Sequence, residues 1–199
     1  MPEPIILASA SPTRARLLEA AGVPFAVEPA AIDESAIKHE MHHVGRSALE
    51  CAQALARAKA AVISARRPEA LVIGADQLLV SAGEWFDKPE TLTDARAQLQ
   101  KLRGRTHVLA TAVCALYAGE RVWHTASQPE MTMRLFSDAF IDAYIAAEGE
   151  TLLGSVGAYR VEARGAQLFS RMTGDQFAVL GLPLIEFLEF LRGRGALLS

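Results

Sequence analysis

Ile5-Ile6-Leu7-Ala8-Ser9-Ala10-Ser11-Pro12-Thr13-Arg14-Ala15-Arg16-Leu17-Leu18 places a strand, a turn and the start of a helix within fourteen residues. The aliphatic run at its front suits a buried strand, and the small polar residues from Ser9 to Pro12 stop it. Ser11 is a preferred N-cap, and Pro12 is tolerated at the first helical position because its missing N–H would be unpaired there anyway. Leu17, Leu18 and Ala21 then form an apolar stripe that Gly22 closes. A strand running into a helix N-terminus leaves backbone N–H groups and the positive end of the helix dipole beside the Ser9 and Ser11 hydroxyls. Phosphate binds well in such a corner, and Arg14 and Arg16 add cations able to grip it through paired hydrogen bonds. A Ser-Pro cap followed by surface arginines that meet no anion stays open as the plainer reading.

The chain has 199 residues, of which 51% are hydrophobic, enough for a substantial core in one domain or two small lobes. Its net charge is −3 and its Lys and Arg residues are scattered, which argues against a nucleic-acid-binding surface and leaves acidic small ligands open. Cys51 and Cys114 stand far apart with no Cys-x-x-Cys, so neither a disulfide framework nor a structural zinc site is expected. Ala8-Ser9-Ala10 imitates a signal-peptidase site, but no basic region precedes it and the apolar run is too short. No apolar segment approaches the roughly 20 residues that span a bilayer. The expectation is a soluble, cytoplasmic protein without a membrane or nucleic-acid partner.

Beyond the first helix, Pro24 to Pro29 reads as a short strand, and Asp33 and Glu34 fall in an expected loop. His39, His42 and His43 follow, and with no third partner type at a fixed spacing they read as a solvated loop rather than a metal site. Ser47 caps an Ala-rich helix to Arg66, on which Lys59 shares a side with Leu55, Ala56 and Val62. A lysine there either snorkels to water or reaches a ligand at the core edge. Leu71 to Val80 is a buried-type strand interrupted by Gly74 and Asp76. A carboxylate in such a strand must meet a cation or metal, accept hydrogen bonds, or open into a cleft, and Gly74 marks a bulge or a close ligand approach.

Ser81 to Glu84 reads as a turn, and Pro89 holds Lys88 on an extended segment. Thr93 is expected to cap a helix ending at Leu102. His107 to Tyr117 and Arg121 to Phe136 read as one long antiparallel hairpin joined near Ala118-Gly119. Ser137 caps a helix through Ala147, Glu148 to Gly157 reads as loop, and strands are expected near 158–162 and 166–170. Pro183 starts a last helix to Leu191. The chain lacks G-x-x-x-x-G-K-[ST], G-x-G-x-x-G after a strand and G-x-S-x-G.

Taken in order, Leu7-Ala8-Ser9-Ala10-Ser11-Pro12 with Arg14, Asp33-Glu34, Leu55-Ala56 with Lys59-Ala60, Gly74-Ala75-Asp76, Lys88-Pro89, His107 with Thr111, Gly157-Ala158-Tyr159, Gly174-Asp175 and Gly181-Leu182-Pro183-Leu184 closely resemble the Maf family of nucleoside triphosphate pyrophosphatases. Each fragment is weak alone; their fixed order across nearly the whole chain is specific. The resemblance implies one α/β domain over residues 1–199, with a curved mixed β-sheet flanked by helices and two lobes around a central cleft, usually in a homodimer. It implies hydrolysis between the α- and β-phosphates of a nucleoside triphosphate with a divalent cation, Mg²⁺ or Mn²⁺.

On that resemblance Asp76 is the general base, Glu34 and Asp76 hold the metal or activate water, and Lys59 and Lys88 neutralise developing charge. Ser9, Ser11 and Arg14 bind phosphate. Thr13, Gln77 and Glu162 stand where the dTTP/UTP-preferring branch carries Arg, Thr and Gln, and Gln77 with Glu162 looks more like the 7-methyl-GTP branch. A glutamate accepts without donating, which suits the N–H-rich edge of guanine. Gly154-Ser155 replaces the family's Asp-Lys, the one feature that favours a different class of protein, a nucleotide-binding regulator of cell division with little turnover.

Overall fold

The strand-turn-helix corner forms as its residues dictate. In the computed structural model, which describes residues 3–198, β1 (Ile5–Leu7) is wholly buried, and the Ser11 hydroxyl accepts from the Arg14 N–H to cap α1 (Pro12–Ala20). The chain continues through β2 (Ala26–Val27), α2 (Glu34–His43), α3 (Ala48–Ser64), β3 (Leu71–Ser81), β4 (Glu84–Phe86) and α4 (Leu92–Leu102). It closes with β5 (Thr106–Tyr117), β6 (Glu120–Ser127), β7 (Glu130–Met133), α5 (Asp138–Glu148), β8 (Phe169–Thr173), α6 (Gln176–Val179) and α7 (Leu184–Gly193). The strands make an eight-stranded sheet in the order β2-β1-β3-β5-β7-β8, with β4 on β3 and β6 on β5. It is mixed: β1 runs parallel to β2 and β3, and the other pairings given by register are antiparallel.

The chain divides into two compact units. The first comprises the chain to Gln77, Ala110–Gln128 and the chain from Asp175; the second comprises Leu78–Leu109 and Pro129–Gly174. In the first unit, Leu7, Leu18, Leu71, Ile73, Val113, Leu182 and Phe187 form the centre of one core. Here α3 lies hard against β3. A Cβ added to Gly74 would stand 2.0 Å from the Ala56 carbonyl oxygen and 2.9 Å from the Ala60 Cβ. The glycine therefore serves close helix-strand packing, in place of the bulge or ligand approach expected of it. In the second unit α4 packs on α5, and both bury apolar residues, among them Leu99, Leu102 and Ile141.

Several local expectations need correction. Residues 34–43 form a helix, not a loop: the Asp33 carboxylate accepts from the Ala36 N–H as N-cap, Glu34 lies in the first turn, where it complements the helix dipole, and His42 and His43 lie in the last. The cap of α4 is Thr91, not Thr93, because Thr91 and Asp94 close a reciprocal capping box. The long second strand of the hairpin breaks into β6 and β7 at Pro129, which has no N–H for the ladder and whose carbonyl accepts from Leu109 at 3.0 Å. The hairpin turn itself forms at Ala118-Gly119, with φ of 50° and 82° as a type I′ turn requires. No strand forms at 158–162. Gly157 and Ala158 both take positive φ, 77° and 55°, outside the extended region a strand needs, and the chain around them runs in 3-10 turns at Gly149–Gly154 and Val156–Ala158. The strand expected at 166–170 begins later, as β8, after a 3-10 turn at Arg164–Leu168.

Candidate active site

Lys59 on α3 joins two carboxylates. Its Nζ lies 2.5 Å from Asp76 Oδ1 on β3 and 2.8 Å from Glu34 Oε1 at the start of α2. Lys59 and Asp76 are buried, and Glu34 is half-buried. The sequence asked what a carboxylate in a core strand would meet, and the answer is an ammonium held by the adjacent helix. Asp33 and Glu34 divide their work. The first is committed to the helix cap, at 2.9 Å from the Ala36 N–H, which aims α2 so that the second reaches Lys59.

The turn after β1 borders the same strand. Arg14 is buried, and its guanidinium donates from Nε to the Gly181 carbonyl at 2.8 Å and from Nη1 to the Ala75 carbonyl at 3.0 Å and the Ser9 hydroxyl at 3.1 Å. Desolvation lowers its pKa, and the charges of Asp76 and Glu34 oppose that shift. Arg14 is thus a tie between the turn, the residue before Asp76 and the Gly181 loop; an anion it meets would be met through Nη2. Ser9 Oγ also accepts from the Ser11 N–H at 3.2 Å, which folds the turn back on itself. Thr13 Oγ1 accepts from Arg16 at 3.2 Å.

Gln77 points its amide N–H groups into the protein, donating to Thr111 Oγ1 at 2.7 Å and to the carbonyls of Ala178 at 2.9 Å and Val179 at 3.3 Å. Thr111 in turn donates to Ala178 O at 2.9 Å. With its donors so engaged, Gln77 has a carbonyl acceptor to offer a ligand.

Lys88 and Glu162 belong to the second unit, and both are exposed. Lys88 lines a groove of about 360 Å³ together with Trp85, Phe86, Gln98 and Lys101. The second unit also holds a buried pair that spacing alone does not reveal: His107 Nε2 and the Tyr159 hydroxyl share a 2.7 Å hydrogen bond, beside Phe169. Burial pushes His107 down to about 4 and pushes Tyr159 up, so both stay neutral at physiological pH. His107 and Tyr159 stand out in the sequence only as parts of the family-like fragments.

Two carboxylates fit a hard divalent cation of the Mg²⁺ type, which binds through one or two carboxylates and takes its other ligands from water and substrate phosphates. Among the described residues, no group of three or more His, Cys, Asp or Glu side chains gathers to hold an ion. The donor set therefore suits an ion completed by a phosphorylated ligand, not one held in a protein cage.

The chain matches the family described as Maf-like protein over residues 4–194. It is 51% identical over 193 residues to a nucleoside triphosphate pyrophosphatase of Granulibacter bethesdensis, covering 97% of this chain and 98% of that one. It is 48% identical to a protein of the same description from Rhodospirillum rubrum, covering 98% and 97%. A 7-methyl-GTP pyrophosphatase of Brucella abortus is 44% identical, covering 94% of each chain. With the family matched across nearly its full length, and relatives aligned end to end at about half identity, this chain belongs to the Maf family.

Proposed function

We propose that the protein is a nucleoside triphosphate pyrophosphatase acting on standard or modified nucleotides. The observation that carries the reading is Lys59 buried between Asp76 and Glu34, next to a turn built from Ser9, Ser11 and Arg14. Water adds its oxygen to the α-phosphorus, the bond from that phosphorus to the α-β bridging oxygen breaks, and pyrophosphate leaves with a nucleoside monophosphate as the other product. Lys59 occupies Asp76 Oδ1, so Oδ2 is the oxygen that takes the proton from the attacking water. Lys59 offsets the negative charge that grows on the phosphoryl oxygens, and the Ser9-Ser11 turn orients them.

Glu34 and Asp76 would hold Mg²⁺ or Mn²⁺, which when bound polarises the phosphoryl oxygens. Lys59 and Arg14 already balance the two carboxylates, so the ion is expected to arrive with the triphosphate. A homodimer in the cytoplasm completes this reading. Among the described residues, no helix is long and apolar enough to cross a membrane.

Within this reading, the acceptor left to Gln77 favours a base edge rich in N–H groups, such as guanine or 7-methylguanine. The test is pyrophosphate release from UTP, dTTP, GTP and 7-methyl-GTP with Mg²⁺ or Mn²⁺, for the wild type and Asp76→Asn. Asp76-dependent release, greatest for the guanine nucleotides, is expected. Nucleotide binding without release from any of the four would overturn the enzyme and favour the regulator of cell division.

A further inference from the structure

We propose that His39 and His43 form a two-histidine site for a late first-row divalent ion such as Zn²⁺, Ni²⁺ or Cu²⁺, on the helix that carries Glu34. In a loop nothing would fix the separation of these residues. On α2 they stand four apart, one turn along the same face, where side chains are neighbours. Both are exposed, their ring centroids lie 6.4 Å apart and their planes are within 5° of parallel. Two histidines at this helical spacing present two nitrogens to a single ion, as in helical zinc sites. Ligation at about 2.0–2.1 Å draws the two nitrogens toward one ion, a side-chain rotation that exposed rings can make. Water completes the coordination.

The chemistry separates this site from the carboxylate pair. Imidazole suits Zn²⁺, Cu²⁺ and Ni²⁺, whereas Mg²⁺ takes oxygen ligands. The position is also favourable for a cation: His43 is the last residue of α2, where the negative end of the helix dipole lies. His42, on the flank of the pair, has a contact of its own.

The site bears on Glu34 because α2 is lightly anchored. It is ten residues long, packs on α3, and buries none of its residues fully. A helix so short depends on its caps and packing. An ion bridging one turn binds the wound helix better than the unwound one and so favours the wound state. Glu34, at the other end of the same helix, keeps its contact with Lys59 only while that end stays wound.

The experiment is calorimetric titration of Zn²⁺ and of Ni²⁺ into the Mg²⁺-free full chain, with Tm read in parallel. The wild type, the double variant His39→Gln/His43→Gln, His42→Gln and Asp76→Asn are compared. The expected result is one equivalent bound by the wild type, at least tenfold weaker binding by the double variant, unchanged binding by His42→Gln and Asp76→Asn, and a rise in Tm only where the pair is intact. Absence of binding by the wild type, equal binding by the double variant, or a loss carried by His42→Gln or Asp76→Asn would each overturn the site. None of these readouts involves nucleotide turnover, so the result stands apart from that of the pyrophosphate assay.

Discussion

The two units bury ionisable groups in opposite ways. In the first, Lys59 sits charged between Asp76 and Glu34, each partner offsetting the desolvation of the other. In the second, His107 and Tyr159 are buried together, and burial keeps both neutral behind a shared hydrogen bond. The neutral pair packs against Phe169 and leaves the buried Nδ1 of His107 without a hydrogen-bond partner among the described residues. Charges retained inside are already in the state that binds an anion, a cation or a proton, and in the proposed function it is this charged cluster that performs the chemistry.

The largest expected effect that would break this contrast comes from Asp76→Asn, which keeps the shape and removes the base. Turnover should fall by roughly 10²–10⁴-fold, the range for loss of a general base, while the circular dichroism spectrum stays that of the wild type. Retained turnover would make the charged cluster as architectural as the neutral one. Next, Lys59→Ala leaves Asp76 buried without its cation and should cost roughly 3–5 kcal/mol in urea unfolding. The double variant Lys59→Met/Asp76→Leu should recover most of that stability and none of the turnover. Recovery of both would overturn the assignment of these residues to catalysis.

The neutral pair makes an acid-side prediction. The pKa of His107 is about 4 in the folded protein against an ordinary 6.5. Between those values the unfolded chain binds a proton that the folded one does not. Its contribution to stability is therefore complete above about pH 6.5 and lost as pH falls toward 4, by about 3 kcal/mol in all. His107→Gln should flatten that part of the urea midpoint profile, and an unchanged slope would remove the neutral pair from the comparison. The smallest effect belongs to Glu162→Gln, expected to change the ratio of guanine to uracil nucleotides turned over severalfold with little loss of the better rate. An equal fall for every nucleotide would end its part in specificity.

How much of this was legible in the sequence depended on whether the signal was local. The β1-α1 corner, the capped α3 and the buried β3 declare themselves through caps, periodicity and apolar runs, and Asp76 stood out because an acid in a core strand demands a partner. Lys59 was visible on the apolar side of α3, though not that its partners would be Asp76 and Glu34 together. The α2 helix was hidden because no residue of it is fully buried, so its apolar pattern is weak while its caps are strong. Pro129 broke a strand whose alternation ran on past it, and the strand expected at 158–162 failed on the paired positive φ of Gly157 and Ala158. Arg14 shows the same limit at the site. Its charge suggested an anion, but Ser9, Ala75 and Gly181, which engage it, come from widely separated parts of the chain.

The contact of Gly74 with Ala56 and Ala60 sets the stand-off between α3 and β3, and a lysine stem has a fixed reach. Those small residues therefore act as the gauge that brings the Lys59 ammonium to Asp76. A larger side chain at any of the three would lift the helix from the strand and leave the ammonium short of its carboxylate. Such a chain would keep every acid and base in its sequence and still lose the site, so its competence is written partly in residues that carry no chemistry at all.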